Sequence, residues 1–190
     1  QPAGRWETHL HSYFTFFAHD KALTMVAAAQ AAAVSALIAE TGAAQLPMIS
    51  AVAPLKYGAR SGPGHYTEVP AGPIQERHLI DLQLFPNSLR AVLVTGAQVF
   101  DWLEMSASLF RRVKPGAPGE PLLNGDMPGH DFDVLFGVSY AFDLAAEPRF
   151  WPDGRLRSVR NNRVGEVLLD GKPLDPDQRL IAVVNGFRAD

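Results

Sequence analysis

The amino-acid sequence predicts an α+β fold, a single domain over residues 1–190 in which helices pack on a mixed sheet. Three observations support this prediction. The 190 residues, 47% of them apolar, are enough for one domain with a substantial core. Runs with helical periodicity and runs with strand periodicity follow one another without strict alternation. The 15 prolines and 16 glycines are spread between the apolar runs, where they indicate turns in a folded chain.

The first helix is predicted from Asp20, which can cap its amino end, to about Glu40, with Gly42 placed to end it. Its large apolar residues keep to one helical face while alanine fills the rest, as expected for a helix packed inside a domain. These residues are Leu23, Val26, Val34, Leu37 and Ile38. The segment barely reaches the roughly 20 apolar residues that span a bilayer, and we expect no membrane contact.

Short strands are predicted next, at 46–53, 79–85 and 89–94, from their apolar and β-branched content. Between the first two strands lies a glycine- and proline-rich stretch, 54–72, that is too long for an ordinary connection. Loops of this length often carry function, because they run over the surface while a rigid scaffold holds their ends.

A second helix is predicted to begin at Thr95, whose hydroxyl can cap it. We expect Arg111 and Arg112 in its last turn, where positive charge suits the helix dipole. A second long loop, 114–129, follows. The apolar residues that this helix is expected to carry toward the core are Val99, Leu103 and Phe110.

The last third of the chain predicts four strands, at 132–144, 156–159, 164–169 and 180–184. Asp170-Gly171 is expected to form a tight turn after the third of them. Four arginines in and around the second of these strands alternate with Leu156 and Val159, as on an exposed strand face. These are Arg155, Arg157, Arg160 and Arg163.

Charge and composition exclude several classes of function. With 17 basic and 20 acidic residues the net charge is −3, so the chain has no overall attraction to a nucleic acid polymer or to anionic lipid. The absence of cysteine excludes disulfides, thiolate catalysis and cysteine-ligated zinc. Neither a G-x-S-x-G nucleophile motif nor a G-x-x-x-x-G-K-[ST] phosphate-binding loop occurs.

Two groups of residues could in principle hold a metal ion. His9 and His11 would place both rings on one face of a strand, but no carboxylate follows at ligand spacing. His130, Asp131 and Asp133 are denser, but their alternation with apolar residues is typical of a strand entry whose polar groups face water. We therefore predict no metal site and no catalytic residue in this chain.

The remaining candidates are two loops. Lys56 and Arg60 flank Gly58, which lets the backbone approach a ligand, and two cations in such a loop suit a phosphate. Phe85 and Asn87 lie at a predicted strand end, where a ring can stack on a base while an amide reads its edge. Taken singly, the loop could equally be a solvated segment and the phenylalanine part of the core.

Taken together and in order, five short motifs resemble one family. The chain resembles the C-terminal domain of the 5′-nucleotidase family, and within it the bacterial bifunctional 2′,3′-cyclic-nucleotide 2′-phosphodiesterases/3′-nucleotidases. Each motif is weak alone, but their order and spacing along nearly the whole chain are specific. The motifs are APLKYGAR at 53–60, LFPNSL at 84–89, WLE at 102–104, FDV with GVSY within 132–140, and NGFRA at 185–189.

This resemblance implies a domain that binds a nucleoside or nucleotide substrate. In the family, the base lies between two aromatic rings, which by position are Phe85 and Phe187, and Asn87 would hydrogen-bond to the base. Lys56 and Arg60 match the family's basic loop and are the candidates for phosphate or ribose. The implied fold is the same α+β domain.

The resemblance also implies a partner, an N-terminal metallophosphoesterase domain of the same protein whose two divalent metal ions carry out the hydrolysis. The D-x-H and G-N-H-[DE] motifs of that domain are missing here, so we expect no cofactor and no turnover in this chain. The family implies a periplasmic location.

Two other functions remain open at this point. The chain could be a stand-alone binding or interaction module that uses the same cleft for a ligand other than a nucleotide. It could also be an independent hydrolase that uses His130, Asp131 and Asp133.

Overall fold

The computed structural model describes residues 4–58, 61–116 and 119–189. Within them it contains eleven strands and four α-helices. The helices are α1 (Lys21–Ile38), α2 (Glu76–Leu82), α3 (Gly96–Ser106) and α4 (Gly186–Ala189). The strands are β1 (Gly4–Trp6), β2 (Leu10–His11), β3 (Met48–Val52), β4 (Glu68–Val69), β5 (Gly72–Ile74), β6 (Leu89–Thr95), β7 (Val134–Phe136), β8 (Val138–Ser139), β9 (Leu168–Leu169), β10 (Lys172–Pro173) and β11 (Arg179–Asn185).

The centre of the fold is a four-stranded sheet with strand order β6-β11-β3-β7. β11 and β3 are parallel, and the two outer strands are antiparallel to their neighbours. The sheet is therefore mixed, and the predicted α+β class is confirmed. The remaining strands form a three-stranded sheet, β10-β9-β8, and two pairs, β1-β5 and β2-β4.

The central sheet is covered on both faces. Side chains alternate along each strand, so neighbouring residues of one strand pack on opposite sides of the sheet. In β3, Ile49 and Ala51 join the larger core cluster with Leu103 of α3. Val52, on the opposite face, packs against Leu23 of α1. Both inner strands therefore consist almost entirely of buried residues, as expected for strands covered on two sides.

Helix α1 begins as predicted. The Asp20 carboxylate accepts hydrogen bonds from the backbone N–H groups of Ala22, at 2.7 Å, and Leu23, at 3.1 Å. The helix ends at Ile38, and Gly42 opens a short 3₁₀ turn instead of ending the helix. The prediction that Leu37 lies on the packed face of the helix is wrong, since this side chain is 79% exposed in the last turn.

Among the helices of the described residues, α1 has the length and mean hydropathy of a membrane-crossing segment. Core helices of globular domains and leader segments near an amino terminus share this property. In this structure one side of α1 packs on the central sheet. Gln30 of α1 is buried there, and its side-chain oxygen accepts a hydrogen bond from the hydroxyl of Ser50 in β3 at 3.2 Å.

Helix α3 is capped by Thr95 as predicted, in a capping box with Gln98. Its core residues Val99 and Leu103 are completely buried. Phe110 is buried too, but it lies beyond the helix, which ends at Ser106 and continues as a 3₁₀ turn. The prediction that Arg111 and Arg112 occupy the last helical turn is therefore wrong.

The predicted strand at 79–85 is also wrong, because this region forms helix α2. The backbone N–H of Gln75 donates to Nδ1 of His78 at 3.2 Å, and the Gln75 side chain caps the same turn in return. This reciprocal cap starts a helix although the apolar residues alternate in part as in a strand. Of these residues, Leu82 packs on a small core cluster, while Leu79 and Ile80 are about half exposed.

The last third of the chain is less regular than predicted. β7 and β8 are separated by Gly137, whose φ of +98° favours glycine, and 164–169 contributes only β9. The predicted strand at 156–159 is reduced to one bridge between Phe150 and Leu156. The turn at Asp170-Gly171 is confirmed, with φ of 50° and 75° between β9 and β10.

Gly96, the first residue of α3, is required by close packing. A Cβ at this position would lie 2.1 Å from the backbone oxygen of Asp175. We expect Gly96→Ala to lower the free energy of unfolding by about 1–3 kcal/mol, measured by urea denaturation, because backbone must move to admit the methyl group. Gly42→Ala is the matched control, since a Cβ there meets nothing within 4 Å, and a similar loss in both variants would contradict this account.

Candidate ligand-binding site

The topology brings four chain segments together at one end of the central sheet. β3 and β11 are parallel, so both carboxyl ends lie at this end, and their antiparallel neighbours begin there. The register pairs Asn185 with Leu89 and Val52 with Val134. The segments after β3 and β11 therefore meet the segments that lead into β6 and β7.

These segments enclose a cleft of about 750 Å³, a size suited to a small organic ligand. Its lining residues come from the segments that converge at the sheet end, joined by part of the long loop after β3. They are Ala53, Leu55, Tyr57, Gly58, Ser61, His65, Leu84, Phe85, Pro86, Asn87, His130, Asn185, Phe187 and Arg188.

Phe85, Asn87 and Phe187, the residues expected to contact the base, all line this one cleft. About a hundred residues of chain separate Phe85 from Phe187. Phe85 is 56% exposed and Phe187 is 70% exposed, so neither ring belongs to the core. Asn87 is exposed beside Phe85. Two exposed rings and an amide in an apolar cleft provide stacking faces and hydrogen-bonding groups for a flat heterocycle.

The loop that carries Phe85 is held by hydrogen bonds among its own residues. The carbonyl of Phe85 accepts a hydrogen bond from the backbone N–H of Asn87 at 2.8 Å and another from Nε2 of Gln83 at 3.0 Å. Pro86 between them has a fixed φ. These contacts close a tight turn just before β6.

The segment that carries Phe187 lies against the same turn. The backbone N–H of Gly186 donates to the carbonyl of Ser88 at 2.7 Å. A Cβ on Gly186 would lie 2.6 Å from Oγ of Ser88, so the small residue in the NGFRA motif allows this close approach. The side chain of Asn185 accepts from the backbone N–H of Arg188 at 3.1 Å and caps the turn.

Arg188, which the sequence did not single out, connects this segment to the entry of β7. Its Nε lies 2.9 Å and 3.1 Å from the two carboxylate oxygens of Asp133, and its Nη1 lies 3.5 Å from Asp131. Its Nη2 donates to the carbonyl of His130. The only signal in the sequence is the position of Arg188 within the NGFRA motif, because nothing local indicates partners 55 residues away.

Asp133 is buried and carries a raised pKa. Burial, which disfavours the charged carboxylate, is the main cause. The positive charge of Arg188 and a 2.8 Å hydrogen bond from the indole N–H of Trp102 act in the opposite direction. Arg188 therefore offsets only part of the cost of burying this carboxylate.

The raised pKa of Asp133 predicts a pH dependence of stability. The folded state holds the proton more tightly than the unfolded state, so the contribution of Asp133 to stability decreases as the pH rises from about 3.9 through the raised pKa. Asp133→Asn removes this titration. We expect the free energy of unfolding of the natural chain to decrease relative to the variant across this window, measured by urea denaturation at a series of pH values. Parallel curves for the two proteins would contradict the assignment.

Of the two predicted phosphate or ribose candidates, Lys56 and Arg60, the structure describes only Lys56. The ammonium group of Lys56 forms an ion pair with Asp81 of α2, and the side chains of both residues are largely buried. Asp81 also accepts a hydrogen bond from the backbone N–H of Glu68 at 3.0 Å. Lys56 is not among the lining residues of the cleft, and Arg60 lies outside the described residues. Their role toward phosphate stays a prediction.

The structure adds several lining residues that sequence reasoning passed over. Tyr57, within the APLKYGAR motif, accepts a hydrogen bond from the backbone N–H of Gly129 at 3.1 Å and so joins the two long loops. His65 reaches the cleft from the same long loop as Tyr57, and no sequence pattern marks it. His130, which the sequence offered only as a metal or hydrolase candidate, reaches the cleft from the 3₁₀ turn before β7.

The described part of the chain holds no cluster of three or more histidine, aspartate or glutamate residues arranged for a metal ion. Nε2 of His9 lies 3.8 Å from the Glu68 carboxylate, and the His9 and His11 rings contact edge to face. Asp131 and Asp133 share the guanidinium of Arg188.

The structure defines an α+β domain with a cleft at one end of its central sheet, and comparison with known proteins gives its family. The family described as "5′-nucleotidase, C-terminal domain" matches residues 14–190. The chain belongs to this family, as its motifs predicted.

Known relatives are much longer than this chain. Over its whole length it is 36% identical to the 2′,3′-cyclic-nucleotide 2′-phosphodiesterase/3′-nucleotidase of Haemophilus influenzae, of which it covers 29%. It is 34% identical to the trifunctional nucleotide phosphoesterase protein YfkN of Bacillus subtilis, of which it covers 13%. In fold it resembles a 5′-nucleotidase precursor from Thermus thermophilus, with a TM-score of 0.63 and 18% identity over all of this chain and 30% of the other.

Proposed function

We propose that this chain is the substrate-recognition domain of a phosphohydrolase and binds the nucleoside part of a nucleotide in the cleft at the sheet end. The main observation is the placement of Phe85 and Phe187, two exposed rings from distant parts of the chain, in one cleft. An exposed apolar ring costs free energy in water, and stacking on a base removes that cost.

The cleft is better suited to stacking on any base than to selecting one base through a fixed set of hydrogen bonds. Stacking contributes roughly 1–3 kcal/mol per base and tolerates different bases, because every base has a π-face. Asn87 adds an amide that can donate and accept at the edge of the base. We therefore propose binding of several nucleosides with modest preference among them.

The phosphate lies outside this part of the cleft in our proposal. Among the described lining residues, the permanent positive charge is that of Arg188, whose guanidinium is already bonded to the 130–133 segment. The cleft accordingly offers a weak field for a phosphate and a good surface for the base. The phosphate is then free to face a separate catalytic domain.

The lengths of the relatives support a separate catalytic domain, because this chain covers only 13% and 29% of them. We propose that the N-terminal part of the same protein is a metallophosphoesterase domain that uses two divalent metal ions. The substrates would be 2′,3′-cyclic nucleotides and 3′-nucleotides, the compounds in the name of the Haemophilus relative. The setting would be periplasmic, as the family resemblance implies. The chain itself would bind without hydrolysis.

Calorimetric titration with adenosine and with 3′-AMP tests this function, with a phosphate-release assay on the same samples. We expect both ligands to bind with similar affinity and no phosphate to be released. Release of phosphate that disappears on His130→Ala would overturn the proposal and favour an independent hydrolase. Failure of both ligands to bind would favour a module for another type of ligand.

A further inference from the structure

The ring of Phe187 has little packing of its own to hold it in place. It is 70% exposed and belongs to α4, a single turn of four residues after β11. A side chain in this situation samples several orientations, and a ligand that needs one of them must bear the loss of conformational entropy on binding. A base site that depends on this ring therefore requires a device that fixes the turn beforehand.

Arg188, the next residue, is bonded through each of its guanidinium nitrogens. The groups Nε, Nη1 and Nη2 contact Asp133, Asp131 and the carbonyl of His130 respectively. The side chain is 20% exposed, so most of it is withdrawn from water. Its carbon Cζ lies 6.0 Å from the centre of the Phe187 ring.

The other end of this connection is hydrogen-bonded to helix α3. Asp133 accepts a 2.8 Å hydrogen bond from the indole of Trp102, and the carbonyl of Asp133 accepts a 3.0 Å hydrogen bond from the hydroxyl of Ser106. Trp102 and Ser106 both belong to α3, which packs on the central sheet. Through these contacts the guanidinium connects the turn after β11 to α3, whose Val99 and Leu103 are completely buried.

We propose that Arg188 is the positioning residue of the base site: it fixes the Phe187 ring by tying the turn after β11 to the segment before β7. This inference rests on the proposed function. Arg188 also lines the cleft, and the alternative is that it binds the phosphate of the ligand directly. Its three engaged nitrogens favour positioning, because two carboxylates and a carbonyl already orient the guanidinium and leave only two of its five N–H groups for a phosphate.

Arg188→Lys separates the two roles. The lysine keeps a positive partner for the buried Asp133 carboxylate, but one ammonium group cannot reproduce the forked contacts to Asp133, Asp131 and the carbonyl of His130. We expect adenosine and 3′-AMP to bind more weakly by the same factor, at least about threefold, because the defect lies in the ring and not in a phosphate contact. Hydrogen exchange of the backbone amides 186–189 should become faster in the ligand-free variant.

The control is Arg155→Lys, at an exposed arginine that pairs with Asp153, and no change in either ligand is expected there. A loss confined to 3′-AMP would overturn positioning in favour of direct phosphate binding. Unchanged amide exchange, or unchanged affinity for both ligands, would overturn it as well. Failure of the natural chain to bind either ligand would instead contradict the proposed function, and the exchange result would still decide whether Arg188 holds the turn.

Discussion

Replacing Phe85 and Phe187 together by alanine is expected to abolish measurable binding of adenosine, while the chain remains folded. Each ring is expected to contribute roughly 1–3 kcal/mol of stacking, so each single variant should bind about 5- to 150-fold more weakly. Both rings are exposed in the absence of a ligand, so their removal deletes little of the core. Calorimetric titration and thermal unfolding of the same samples measure the two effects separately.

The chain offers matched controls for this prediction. Phe14 and Phe17 are 61% and 56% exposed, fractions similar to those of Phe187 and Phe85. Neither Phe14 nor Phe17 lines the cleft. Phe14→Ala and Phe17→Ala are expected to leave adenosine binding unchanged. If all four substitutions weaken binding alike, the cleft between Phe85 and Phe187 is not the binding site.

Replacing Glu104 by leucine is expected to lower the free energy of unfolding by about 3–5 kcal/mol, a larger loss than that expected for Gly96→Ala. Glu104 is 1% exposed, and its Oε1 accepts hydrogen bonds from the backbone N–H groups of Arg163 and Val164, both at 2.7 Å. Arg163 is also 1% exposed, and burial lowers the pKa of its guanidinium while the charge of Glu104 raises it. Leucine would remove the stronger of the two carboxylate charges that favour the buried Arg163 cation, the other being Glu147, and would leave two buried N–H groups without an acceptor.

Urea denaturation measures this loss, and two further variants define its origin. Glu104→Gln keeps an acceptor oxygen but removes the charge, so we expect an intermediate loss. Glu166→Ala replaces an exposed glutamate of the same region and should change the free energy of unfolding by no more than about 0.5 kcal/mol. A loss for Glu104→Leu as small as that of Glu166→Ala would show that the buried Glu104 carboxylate does not stabilise the fold.

Arg163 also shows where local sequence signals are insufficient. Arg163 alternates with apolar residues and was predicted on an exposed strand face, yet it is buried and donates to the carbonyls of Ala107, Phe110 and Ala146. These acceptors come from distant parts of the chain. Alternation reports on the local backbone alone and carries no information about such partners.

Elements with strong local signals were predicted correctly. The caps at Asp20 and Thr95 and the turn at Asp170-Gly171 depend on residues within a few positions of one another. Helix α2 escaped prediction because its capping box uses Gln75 and His78, which are less usual capping residues, and its apolar residues suggest a strand.

The candidate site was predictable only in part. The motifs indicated Phe85, Asn87 and Phe187, and the structure brings all three to one cleft. What the sequence cannot supply is the antiparallel register of β6 and β11, which places the two ring-bearing turns side by side. The contact of Arg188 with Asp133 likewise depends on tertiary packing, and the ion pair of Lys56 with Asp81 could not be foreseen from a loop of basic residues.

The central claim is that a nucleobase lies between Phe85 and Phe187, and the most direct measurement is the nuclear Overhauser effect between adenosine and the assigned aromatic rings in the complex. We predict contacts from the protons of the adenine base to both the Phe85 and Phe187 rings, with upfield shifts of those protons caused by the ring currents. Contacts to one ring alone, or to rings outside the cleft such as Phe14 and Phe17, would contradict the claim.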